Sequence, residues 1–123
     1  MNFLFLCNHG NVRSAAHARA VKDLNGSCRG TDEEYLKEYI KHEAIAIGAH
    51  CMSIDTIKLL SVWADVVVDL SDNDERVQMR LKKIAGLKYE RIDIGVDRWH
   101  DPFAPELRNM ANKNVKRLLR DSE

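Results

Sequence analysis

Apolar residues run unbroken through Phe3-Leu4-Phe5-Leu6 and again through Val66-Val67-Val68, the pattern of strands covered on both faces in a parallel sheet. Between these runs the spacing turns helical. Residues 2–7 make the first expected strand, and Val12 to about Leu24 reads as a helix stopped by Asn25-Gly26-Ser27. Thr31-Asp32-Glu33-Glu34 has capping-box form ahead of a short helix with Leu36, Tyr39 and Ile40 on one face. Glu43 to Ala49 reads as the second strand. Ser53 is the expected cap of a helix that turns Ile54, Ile57, Leu59 and Leu60 to the core and ends near Trp63, itself expected in the core. After the third strand at Val66-Val67-Val68, Ser71-Asp72-Asn73-Asp74-Glu75 opens a helix through about Ala85, closed by Gly86. Tyr89 to Ile94 is the fourth expected strand. The segment Gly95 to Pro105 is a loop before a last helix with Leu107, Met110, Val115, Leu118 and Leu119 on one face.

Strands and helices therefore alternate, which predicts an α/β fold with four parallel strands and helices on both sides. Ligands of such folds bind beyond the carboxyl ends of the strands, where the strand order reverses, and the segment after the first strand falls there. With 123 residues the chain has the length of one compact domain spanning 1–123.

Charge and composition mainly exclude. Nineteen basic and nineteen acidic residues balance, so no overall field favours nucleic acid or an anionic membrane surface. Lys113, Lys116, Arg117 and Arg120 read as a solvated helix face with cations near its C-terminus. The opening Met1-Asn2-Phe3-Leu4-Phe5-Leu6 is too short and uncharged for a signal peptide, and no stretch has the length to span a bilayer, which leaves a cytoplasmic location as the expectation. Three cysteines, Cys7, Cys28 and Cys51, lack metal-ligand spacing and do not form a disulfide framework. His17, His42 and His50 show no ligand spacing and are expected at the surface.

The candidate chemistry lies in Cys7-Asn8-His9-Gly10-Asn11-Val12-Arg13-Ser14. Five residues between cysteine and arginine can curl so that backbone N–H groups of Asn8, His9, Gly10, Asn11 and Val12 converge on one anion at a helix N-terminus. Gly10 supplies conformational freedom for that curl, Asn11 can brace it, and His9 can touch a bound group. Arg13 adds two parallel, charge-assisted hydrogen bonds to phosphoryl oxygens. A cysteine so placed is favoured as the nucleophilic thiolate, with Ser14 donating to it. An in-line attack on phosphorus also needs a general acid, and Asp101, fixed by Pro102 between Trp99 and Phe103, fits that role, with Asp97 and Asp93 as competitors. Trp99 and Phe103 could wall an aryl substrate.

An early Cys-x5-Arg-Ser loop, a late Asp-Pro and the β/α repeats between them resemble the low-molecular-weight protein-tyrosine phosphatases. The resemblance implies a three-layer, flavodoxin-like sheet, no metal or other cofactor, and hydrolysis of a phosphomonoester through a phosphocysteine. Cys7 would be the nucleophile, Arg13 the phosphate ligand, Ser14 the support of the sulfur and Asp101 the acid, with a phosphotyrosine protein or small phosphomonoester as partner. The chain departs from the family pattern at His9 and Gly10, at Val12 where a second cysteine is common, and at Ala15 and Ala18 in place of Pro and Glu. The segment 26–42 is additional to a minimal version of the fold and reads as a lengthened crossover. Two alternatives use the same loop: an arsenate reductase, for which Cys28 or Cys51 would have to reach Cys7, and a phosphate-binding module without efficient catalysis.

Overall fold

The computed structural model describes residues 1–8, 12–26, 42–50, 52–71, 75–94 and 101–121. In chain order they form β1 (Asn2–Cys7), α1 (Arg13–Gly26), β2 (Glu43–Gly48), α2 (Ile54–Trp63), β3 (Val66–Asp69), α3 (Glu75–Lys82), β4 (Glu90–Arg91) and α4 (Pro105–Asp121). The strands lie in the order β2-β1-β3-β4 and every pairing is parallel. Register places Cys7 beside Gly48 and Leu6 between Ile47 and Asp69.

Alternation along the strands divides the core in two. Phe3, Phe5 and Cys7 of β1 and Val68 of β3 pack with Ala16, Ala20 and Val21 of α1 and Leu107, Ala111, Val115 and Leu118 of α4. Leu4, Leu6 and Val67 face the other way, onto Ile57 of α2 and Val77 and Leu81 of α3. The result is a three-layer, flavodoxin-like α/β sandwich, α1 and α4 on one face of the sheet and α2 and α3 on the other. Phe3, Leu4, Phe5 and Leu6 are wholly buried, as their unbroken apolar run requires of a central strand.

Several elements differ from expectation in extent. β4 comprises only Glu90–Arg91, paired with Val68 and Asp69, in place of the strand expected over residues 89–94. β3 leaves the ladder after Asp69, whose Oδ1 accepts the Ser71 N–H at 2.9 Å, so beyond Ile92 N–H to the Asp69 carbonyl (3.0 Å) the paired edge ends. α3 stops at Lys82, before the expected Ala85. Its last turn tightens into three-residue bonds, Lys83 N–H to Arg80 and Ile84 N–H to Leu81, and Gly86 follows with φ +76°. Ser53 caps α2 as expected, accepting the Thr56 N–H at 3.1 Å. Of the four residues expected to point inward from α2, Ile57 is buried, Ile54 and Leu60 are half-buried, and Leu59 is 72% exposed. Residues 54, 57 and 60 share a stripe centred on Ile57, whereas residue 59 lies about 200° around the helix from it. Trp63, expected in the core, is half-buried. The expected helix after Thr31 lies outside the described residues, as does most of the 26–42 segment.

Candidate functional site

β1 delivers Cys7 to the carboxyl edge of the sheet, and α1 begins six residues later at Arg13. β2 and β3 flank β1 on opposite sides, so the strand order reverses at this point. Cys7 is buried, and its Sγ lies 3.1 Å from the Oγ of Ser14, also buried, in the first turn of α1. The Arg13 side chain is only 2% exposed, and its Nη2 donates to Asn8 Oδ1 at 2.8 Å. Asn8 is anchored in turn, its carbonyl accepting the His50 N–H at 3.1 Å while the Cys7 carbonyl accepts the Ala49 N–H at 2.7 Å. A thiol and a hydroxyl are thus paired at the positive end of α1, and the Arg13 guanidinium is held by Asn8, on a segment stitched to the end of β2. Half-buried Val12 gives its carbonyl to the Ala16 N–H at 2.9 Å, starting the helix.

Behind this cluster stands a residue that the sequence pattern misplaces. His17, expected at the surface, is wholly buried. Its Nδ1 lies 2.8 Å from the Arg13 carbonyl, which can only accept, so the ring proton sits on Nδ1. Nε2 then accepts from Asn114 Nδ2 at 3.1 Å, tying α1 to α4. Burial pushes the His17 pKa from 6.5 down to about 4, the hydrogen bond to the Arg13 carbonyl opposing only in part. The signal for burial was present in its neighbours: His17 sits four residues before Val21 and three after Ser14, on the stripe that faces α4 and Phe5. His42 and His50, expected at the surface, are half-buried.

Asp101 is exposed on the loop before α4. Its Oδ1 accepts the Phe103 N–H at 2.9 Å and its carbonyl accepts the Ala104 N–H at 3.1 Å, a turn that leads into Pro105 at the first position of α4. Phe103 is 56% exposed and lies against α1, with the Arg19 guanidinium 4.2 Å from its ring centre. The structure therefore brings Cys7, Asn8, Arg13 and Ser14 together and places Asp101 and Phe103 at the entry to α4. His9, Gly10, Asn11, Asp97, Trp99, Cys28 and Cys51 lie outside the described residues. Among the described residues no group of three or more His, Cys, Asp or Glu side chains is arranged to hold a metal ion, and no helix is long and apolar enough to cross a membrane.

No protein-family model matches the chain, and no solved structure matches it. Protein Thf1 of Synechococcus sp. (strain CC9605) is 25% identical over 95 residues, which cover 74% of this chain and 44% of that relative. The chain thus spans less than half the length of the curated relative it matches. That finding overturns the resemblance to the low-molecular-weight protein-tyrosine phosphatases, because the relative does not carry the name of a phosphatase. The assignment as an enzyme falls with it: the cysteine-dependent phosphomonoester hydrolase, its phosphocysteine intermediate, the protein phosphatase acting on phosphotyrosine, and the arsenate reductase. The physical reason is the narrowness of the shared features. An eight-residue loop specifies a curl of the backbone around a small anion, not a reaction, and Asp-Pro here has a sufficient local role in the turn into α4.

Proposed function

We propose that residues 1–123 act as one ligand-binding α/β domain whose site is the carboxyl edge of the sheet, where β1 hands over to α1, and whose ligand carries a phosphate-type oxyanion. The observation that carries this reading is the Arg13 guanidinium, buried and braced by Asn8, with the neighbouring residues Cys7 and Ser14 paired through sulfur and hydroxyl. A planar fork of N–H donors held in one orientation suits a tetrahedral oxyanion, and the first turn of α1 adds N–H groups and its positive end. Asn8, His9, Gly10, Asn11 and Val12 would supply the backbone cradle, and Trp99 would wall the ligand. The partner is then a phosphorylated protein or small phosphate ester, met in the cytoplasm, and binding is the event proposed.

The test is calorimetric titration of the whole chain with inorganic phosphate at low ionic strength, with Arg13→Lys and Asn8→Ala beside it. Saturable binding at one site is expected, about tenfold weaker in Arg13→Lys, which keeps the charge and loses the bidentate fork. Asn8→Ala leaves the guanidinium in place without its brace, and a smaller loss is expected. Phosphate binding of equal strength in all three proteins would refute the assignment of the site to this edge.

A further inference from the structure

A concavity lies between α1 and β2, lined along α1 from Ala15 to Lys22. It has a volume of about 510 Å³, within the range of small-molecule sites. Ala18 of α1 and Ala44 and Ala46 of β2 form part of its floor, with Ile45 beside them, and Pro102 and Phe103 form one wall. Arg19 and Lys22 stand at its rim. Among the described residues, Leu59, Val62 and Met79, the other large apolar side chains that stand exposed, belong to α2 and α3 across the sheet, so Phe103 is the exposed aromatic described on this face.

Arg19 and Phe103 together state what the groove recognises. The guanidinium lies over the ring, 4.2 Å from its centre, a cation–π contact that holds the cation at the mouth. Its Nε edge faces Asp23 at 3.7 Å, so the terminal nitrogens are the ones that can meet a ligand. Lys22, one helical turn on from Ala18 and exposed, adds a second cation on the same rim. An apolar floor with an aromatic wall and two cations at the lip complements a molecule with one apolar tail and one anionic head. A neutral lipid would leave the rim unused, and a polyanion would gain nothing from alanine, isoleucine and phenylalanine.

We infer that the α1–β2 groove binds a small amphiphilic carboxylate, its tail on Ala18, Ala44, Ala46 and Phe103 and its head on Arg19 and Lys22. This site shares no residue with the oxyanion site proposed at Cys7 and stands or falls separately. The binding is non-covalent and calls for no change elsewhere in the fold.

Fluorescence titration with anilinonaphthalene sulfonate, followed by displacement with decanoate and with decanol, tests it on the whole chain. Expected is one saturable site per chain from which decanoate displaces the dye and decanol does so at least tenfold less well. Lys22→Glu should weaken decanoate about fivefold at low salt, because it reverses a charge on the rim. Phe103→Ala should weaken both dye and decanoate by about tenfold through loss of the aromatic wall. Both side chains are exposed, and circular dichroism checks that the variants keep the α/β signal; Val62→Ser on α2 serves as the control that leaves binding unchanged. Dye binding that is absent, equally displaced by decanol, or indifferent to both groove variants would overturn the inference.

Discussion

At the scale of single residues, His17 shows how a polar side chain can be structural. Its buried ring is satisfied as a neutral donor–acceptor between the Arg13 carbonyl and Asn114, and protonation would set an N–H against the Asn114 amide donor. The folded state therefore binds fewer protons than the unfolded chain between the ordinary histidine pKa of 6.5 and the lowered value of about 4. The stabilising preference for neutral His17 is complete above pH 6.5 and is lost as the pH falls toward 4. Urea unfolding should show about 2 kcal/mol less stability from this group at pH 5 than at pH 7. His42 is lowered too, by burial and by the amino-terminal charge, and pushes in the same direction. His17→Gln should be less stable at pH 7 yet lose most of the fall between the two pH values. A variant with the wild-type slope would mean that other groups titrate. The contact of Ser14 with Cys7 was legible from their spacing. Asn8 as a brace and His17 as a strut were not, because each acts through a partner that is distant or depends on loop geometry.

Among the elements, boundaries set by a local capping interaction could be read and those set by neighbouring strands could not. Ser53 announces α2 through its own hydroxyl, and Gly86 announces the turn after α3 because φ +76° suits a residue without a Cβ. Nothing lies within 4 Å of the position a Cβ would take at Gly86, so an alanine there meets only the backbone cost of the left-handed region. Gly86→Ala should lower stability by about 1 kcal/mol with the fold intact. A thermal melt unchanged by this substitution would contradict the conformation described. The short β4 was not legible: Tyr89, Ile92 and Ile94 mark the segment as a strand without marking its end, and its pairing stops where Asp69 turns β3 away. The exposure of Leu59 follows from rotation about the helix axis, which its leucine neighbour Leu60 conceals in the sequence.

For the whole molecule, the doubly buried runs of β1 and β3 and the β/α alternation specify the layers. They also bring Cys7 to the carboxyl edge, the end at which sheets of this kind bind ligands. Chemistry proved less legible than architecture. A loop of cysteine, arginine and serine suggested an enzyme, but the match to Protein Thf1, covering less than half of that relative, overturned the phosphatase assignment. What the fold retains at that edge is a set of hydrogen-bond donors in one place: the Arg13 fork, the Ser14 hydroxyl and the start of α1. The measurement that tests this most directly is a two-dimensional 1H–15N spectrum of the labelled chain titrated with inorganic phosphate. Phosphate at the proposed site should produce saturable shifts concentrated at Asn8 and at Arg13 to Ala15, with the Arg13 side-chain signals moving at the same midpoint, and little change on α2 and α3. Shifts scattered over the surface, or confined to the lysines of α4, would contradict it.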